Sequence, residues 1–351
     1  MSPSRSSLLL TPLFGDDQVG EDATALLSQA RRDRVVPLLV RLIGTGDGVD
    51  AADLEKLLLV ERANMAHAVT LEHHLLGVVG LLADRGIRSA VLKGVAVAHL
   101  DYPDPCWRQF GDADLLVDPN HFEPALQLLR GAGWRNESEV SEHHDRFTHA
   151  LPMRHERGVI IDVHQAIGRR ALGRLIPADV LLDTAVPFEI AGIELRALAD
   201  PFRLAHACVH WLASRGTYKR LSGAADIIVM SRRLASGAGG LLDELGRYQV
   251  DRFVQTGIAK AFAVAQEPVP SGWEPFLRPS ARPDLVARAH LSPDRRPVLE
   301  ELAFLTKLDG REWLPYLRGY LDVGDDYRAK HGRSGPLDQL RYLGRKLRNR
   351  A

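Results

Sequence analysis

The apolar positions of this chain change period twice along its length. Up to about residue 86 they recur at helical spacing; from there to about 197 they gather into short runs and alternations; beyond that, helical spacing returns. In the first part, Ala23 to Ile43 predicts one or two short helices around Pro37, and Gly44 to Gly48 breaks them. Asp53 to Asp84 predicts one long helix carrying Leu57, Leu58, Met65, Val69, Leu75, Leu76 and Leu82, stopped by Arg85-Gly86. The middle part predicts strands at Ile87 to Leu92, Asp112 to Val117, Phe147 to Met153 and Val159 to Val163. Trp134 to Asn136 is also extended, and a last extended pair, Phe188 to Ile190 and Ile193 to Leu195, turns on Ala191-Gly192. Helices are expected between them at Gly94 to Leu100 and Phe122 to Arg130, the latter entered through Asp118-Pro119 or Asn120. In the last part Asp200-Pro201 opens a helix over Phe202 to Ser214, followed by helices near Tyr218 to Leu234, Leu241 to Tyr248 and Arg252 to Ala265. Pro268 to Pro283 reads as a connector, Val298 to Ala351 as broken helix with a basic end, and residues 1 to 22 as a loose arm. The fold class implied is α/β: a small mixed sheet with helices on it, extended by helical N- and C-terminal parts.

Three acids stand out against the strands. Asp112 and Asp114 are two apart, so period two turns both carboxylates to one face. In the later strand Val159, Ile161 and Val163 make an apolar face, which leaves Ile160, Asp162 and His164 on the other. Asp162 is a lone acid in a strand otherwise fit for burial, and a buried charge needs a metal, a base or a hydrogen-bond network. Paired carboxylates on a strand suit Mg²⁺, with Mn²⁺ as the alternative, because a hard ion is held by one or two carboxylates together with substrate phosphates. The Lys93-Gly94 turn opens a helix whose free amides, with the Lys93 charge, attract phosphate; a plain strand-to-helix turn is the other reading. Arg108, in a loop with Tyr102, Pro103 and Pro105, clamps a phosphate, positions the acidic strand, or is a solvated surface arginine. His164 either touches a ligand or hydrogen-bonds its neighbours. Asp118 shares strand parity with the pair but reads as a cap. Structural roles are the default for His73-His74, for the loop Ser141 to Asp145, and for His206 and His210. If the three acids converge, their repulsion raises a carboxylate pKa, and Asp114→Asn is expected to leave the metal-free chain equally or more stable.

Composition narrows the class. At 351 residues, 45% hydrophobic and 26% charged, the chain is globular and long enough for two domains. A formal net charge of +0 removes any protein-wide basic field as an argument for nucleic acid. Cys106 and Cys208 lie far apart without a CxxC, which argues against a disulfide framework and a cysteine zinc site. The longest apolar run near the N-terminus is Leu8 to Leu10, and no stretch approaches about eighteen uninterrupted apolar residues. The expectation is a cytoplasmic chain with neither a secretion signal nor a membrane span.

Leu92-Lys93-Gly94, Tyr102, Arg108 and Asp112-Ala113-Asp114-Leu115-Leu116-Val117, in that order, resemble the polymerase-β-like nucleotidyltransferase superfamily. Within it they are similar to a poorly characterised bacterial branch with an LKG, Tyr, Arg, DxDLLV signature. The resemblance runs over roughly residues 55 to 345. Many members follow the glycine with Gly or Ser and have a shorter gap to the acidic pair; here Val95 follows and the loop is long, so no serine hydroxyl is carried over to the phosphate. The resemblance implies Mg²⁺-dependent transfer of a nucleoside monophosphate from an NTP, ATP first, to an acceptor hydroxyl with release of pyrophosphate. The acceptor's nature, small molecule, peptide or protein, stays open. On this reading Asp112, Asp114 and Asp162 are the catalytic and metal-holding residues, and Lys93, Gly94, Arg108 and His164 bind nucleotide. The chain then divides into an arm (1–22), a helical N-terminal region (23–86), a catalytic core (87–197), a helical bundle (198–266) and a connector with C-terminal helices (267–351). Two other readings stay open. A DxD glycosyltransferase using a nucleotide sugar leaves Lys93-Gly94 and Asp162 without roles; an antitoxin-like nucleotide-binding regulator keeps the site without turnover.

Overall fold

Seven short strands form one mixed sheet with helices on both faces in the computed structural model, which describes residues 23–43, 51–137, 149–214, 220–277, 283–292 and 297–316. Ahead of the sheet lie α1 (Ala23–Asp33), α2 (Val36–Ile43) and α3 (Ala51–Ala83). β1 (Ser89–Leu92) runs straight into α4 (Lys93–Leu100), and β2 (Ala113–Val117) leads to α5 (Phe122–Gly131). Next come β3 (Arg135–Asn136), β4 (Ala150–Arg154), β5 (Ile160–His164) and a short α6 (Ala178–Asp183). The hairpin β6 (Val186–Ile190) and β7 (Ile193–Ala197) completes the sheet, in the order β3-β4-β5-β2-β1-β7-β6. β2 sits at its middle, antiparallel to β1 and parallel to β5. The remainder is helical: α7 (Asp200–Ala213), α8 (Leu221–Leu234), α9 (Ala238–Gly246), α10 (Asp251–Val264), α11 (Leu285–Leu291) and α12 (Pro297–Leu305). The expected mixed α/β class is what forms. The pattern did not anticipate α6 or α11, both too short to show a helical period.

Strand alternation sorts the core into two halves. Ala90, Leu92 and Leu116 face the half built with α7, α8 and α10, while Val91, Leu115 and Val117 face Leu71, Leu75, Val78 and Leu82 of α3 and Leu126 and Leu129 of α5. Each such leucine contributes about 2 kcal/mol of burial, so a one-residue slip of β2 would misplace its whole apolar set. That fixes where Asp114 of β2 points. By length and composition Leu54–Ala83 is apolar enough to cross a membrane, at a mean hydropathy of 1.2 over its best window. In this fold its inward stripe is core, and Leu59, Met65 and Val69 remain exposed. The N-terminal arm, the loop Ser141 to Asp145 and the basic C-terminal end lie outside the described residues.

Candidate active site

Register brings two of the acids together. Leu92 of β1 pairs with Asp114 of β2, and Asp114 in turn pairs with Asp162 of β5. Asp114, Asp162 and His164 each offer a ligand atom, and those atoms lie within 4.8 Å of one another, close enough to hold one cation. The Lys93 ammonium donates to Asp114 Oδ1 at 2.6 Å, and His164 Nε2 lies 2.8 Å from the same oxygen. Burial alone would raise the Asp114 carboxyl, but Lys93 and His164 outweigh it and hold it well below the usual carboxylate range. Asp162 shows the reverse: burial, then the charges of Asp114 and Asp112, push it up to about 7. The expected like-charge strain is present, but it falls on Asp162. Asp114 has a cation within bonding distance, so its neutralisation strands Lys93, and the expectation that Asp114→Asn is harmless in the metal-free chain is reversed.

Asp112 stands apart from this group. It precedes the first residue of β2, its side chain is 40% exposed, and its Oδ1 lies 3.2 Å from Nη1 of Arg34. Arg34 occupies the turn between α1 and α2 in the left-handed region, φ 55°. Lys93 is also left-handed, φ 44°, which costs a non-glycine residue about 1–2 kcal/mol. Such strain persists where surroundings over-determine it; here the ammonium is aimed at Asp114. Gly94 is required for a different reason: a Cβ there would stand 2.8 Å from the Cβ of Phe110. Close approach of the Phe110 loop thus fixes the glycine of the turn.

Arg108 is largely enclosed, its side chain 11% exposed, which excludes the surface reading. Its Nε and Nη2 donate to the two oxygens of Asp226 on α8 at 2.7 and 2.8 Å, and the Tyr102 hydroxyl donates to Asp226 Oδ1 at 3.0 Å. A bidentate fork spent on one carboxylate matches a positioning role, tying the loop before β2 to α8.

The family model described as uncharacterised nucleotidyltransferase matches residues 20–265, well over half of the sequence. The chain belongs to that family. The match starts earlier and ends sooner than the resemblance over 55 to 345, and so takes in α1, α2 and Arg34. None of the curated proteins matches. Two solved structures are similar over part of the chain. One is an antigenic nucleotidyltransferase-like protein from Paracoccidioides brasiliensis, 16% identical over 57% of this chain and 93% of that one, with a TM-score of 0.37. The other is the lincomycin-bound lincosamide antibiotic adenylyltransferase LnuA, 15% identical over 45% and 95%, with a TM-score of 0.32. At these scores neither supplies a substrate or a mechanism.

Other groups of this nucleotidyltransferase surround the centre without joining it. His149, which no pattern singled out, stacks edge-on against His164 with centroids 5.6 Å apart; burial and its charged neighbours lower it to about 3. His206 is buried, its Nε2 without a hydrogen-bond partner among the described residues, and its ring lies 6.4 Å from that of His210. Asp118 caps the turn after β2 by accepting from the Asn120 amide at 3.0 Å, as its position before Pro119 suggests. Arg34 escaped sequence reasoning: it lies 78 residues from Asp112 in a stretch of helical spacing.

Proposed function

We propose that this nucleotidyltransferase moves a nucleoside monophosphate from an Mg²⁺-bound NTP, ATP first, to an acceptor hydroxyl and releases pyrophosphate. The observation that carries the reading is the meeting of Asp114 and Asp162 beside the Lys93-Gly94 turn, with Asp162 pushed up to about 7 by burial and acidic neighbours. A carboxylate so placed lacks a counter-charge, and a divalent cation would supply it. The donor set fits: Asp114 and Asp162, with Asp112 at the rim, offer hard oxygens suited to Mg²⁺, and His164 widens the choice to Mn²⁺. When bound, the ion would stabilise the attacking and departing oxygens of a phosphoryl displacement. The residues do the rest. Lys93, beside the first amides of α4, neutralises the departing pyrophosphate. Asp162 either joins Asp114 in holding the ion or, left free of it, takes the proton of the acceptor hydroxyl. His164 holds Asp114 in orientation, and the Arg108–Asp226 pair holds the β2 approach loop against α8. Residues 87–197 then act as the catalytic unit and the bundle 198–266 as the opposite wall.

Pyrophosphate release from each of the four NTPs with Mg²⁺, with and without small-molecule, peptide and protein acceptors, tests the reading. Release coupled to labelling of an acceptor supports it. Transfer from a nucleotide sugar without pyrophosphate would establish a glycosyltransferase, and Mg²⁺-NTP binding without turnover in any combination would establish a silent regulator.

A further inference from the structure

The α1–α2 turn and the start of α8 meet beside Asp112. The Leu221 amide hydrogen-bonds the Asp33 carboxylate and Trp211 Nε1 donates to the Arg220 carbonyl at 3.1 Å, which fixes the residues beside Arg34 and Arg220; Arg34 bonds Asp112, and both act on the charge of Arg220. The guanidinium of Arg34 packs on Gly111, 3.5–3.9 Å from where a Cβ would sit, and its Nη1 reaches Asp112. Arg220 is half-buried and makes no ion pair among the described residues. The charged groups acting on it are Arg34 and Arg108, which oppose it, and Asp112 and Asp33, which favour it. All four are committed elsewhere: Arg34 and Asp112 to each other, Arg108 to Asp226, and Asp33 to the Leu221 amide. If Asp112 turns to a cation, Arg34 loses its partner as well. Two half-buried guanidiniums would then face one rim with no carboxylate bonded to either among the described residues, an arrangement that phosphate oxygens relieve, since their geometry fits the guanidinium fork.

We propose that Arg34 and Arg220 form an anion subsite at the rim of the acidic centre that holds the phosphate chain of the nucleotide, Arg34 passing to it when a cation takes Asp112. This rests on the Mg²⁺-NTP reading of the centre and adds to it two residues from outside residues 87–197. The ligand class is a polyphosphate, free or as a nucleotide; the nucleoside does not contribute to this subsite.

The test is isothermal titration of the full chain with Mg²⁺ and, separately, inorganic tripolyphosphate, ATP and adenosine. The proteins compared are wild type, Arg34→Ala, Arg220→Ala and Arg220→Lys, with folding checked by circular dichroism. The Arg220 side chain makes no ion pair among the described residues, so its alanine variant strands no charge there. The expected result is tripolyphosphate and ATP binding by wild type and a loss of about tenfold or more for both ligands in each alanine variant. Arg220→Lys should recover part of it, as a point charge without the fork. Alanine variants that keep wild-type tripolyphosphate affinity would overturn the subsite and leave the Mg²⁺-NTP reading standing. Variants that lose ATP but keep tripolyphosphate would also overturn it, placing the arginines on the nucleoside side. A wild type that binds neither ligand would overturn both readings.

Discussion

An Asp162→Asn substitution removes a charge that the fold, without a metal, holds at a disadvantage. Folded, the Asp162 carboxyl titrates near 7 because of burial and the charges of Asp114 and Asp112; its ordinary value is 3.8. Between those values the folded chain binds more protons than the unfolded one, so stability falls as pH rises through that window. The full window is worth roughly 4 kcal/mol as a ceiling, at about 1.4 kcal/mol per pK unit, and roughly 2–3 kcal/mol of it is lost between pH 5 and pH 8. Partial exposure lets solvent screen the charges, so about 1–2 kcal/mol is the expected loss. Asparagine does not titrate. Urea melts of wild type and Asp162→Asn in EDTA at pH 5, 6, 7 and 8 should therefore diverge by that amount as pH rises, with the variant the more stable at pH 8. Adding Mg²⁺ and NTP should raise wild type more than the variant. Asp114→Asn should behave oppositely, losing about 3–5 kcal/mol in EDTA at neutral pH because it strands the Lys93 ammonium beside a buried site. A wild-type minus Asp162→Asn difference that stays flat from pH 5 to 8 would refute the reasoning, as would an Asp114→Asn chain as stable as wild type.

Asp112→Asn is expected to abolish pyrophosphate release while shifting the melting temperature little, because its partly exposed pair with Arg34 is worth under about 1 kcal/mol; an active variant would remove Asp112 from the site. Arg108→Ala should cost about 3–5 kcal/mol by denaturant midpoint, since it strands Asp226 in a buried position, and an unchanged midpoint would show the pair to be idle. Gly94→Ala should cost about 1–3 kcal/mol by denaturant midpoint through overpacking against the Cβ of Phe110, and an unchanged midpoint would show that the Phe110 loop gives way freely.

Period makes sidedness legible and leaves partners dark. The parity of Asp112 with Asp114, and of Asp162 with His164, follows from alternation alone, and the structure brings Asp162 and His164 together beside Asp114. Which strands lie side by side does not follow. That β2 lies between β1 and β5, with Asp114 opposite Asp162, depends on the assembled sheet, where the apolar faces of all the strands must be covered at once. Parity also overstates the acidic pair: Asp112 precedes the ladder, so no strand partner holds it and its carboxylate turns to Arg34. Arg108 shows the same limit from the other side. A lone arginine in a proline-rich loop reads equally as clamp, positioner or surface residue, and the choice rests on Asp226, 118 residues away.

Counting side chains alone, the carboxylates of this region take their counter-charges from separate segments: Asp114 from Lys93 at the β1–α4 turn, Asp112 from Arg34 at the α1–α2 turn, Asp226 from Arg108. Among the described residues Asp162 has no such partner, and burial with the charges of Asp114 and Asp112 pushes its carboxyl up to about 7. A divalent cation entering here would supply the charge Asp162 lacks and compete with Lys93 and Arg34 for Asp114 and Asp112. Both cations would be freed at the rim where a polyanion has to bind. The exchange has a thermodynamic consequence: whatever free energy the metal contributes to phosphate binding by releasing Lys93 and Arg34, phosphate must return to metal binding by holding them away. The left-handed backbone of Lys93 belongs to the same balance, because strain of that kind is kept only by its surroundings. Were Asp114 to hold an ion, the contact that fixes Lys93 would be lost, and the residue would be free to relax toward a bound phosphate.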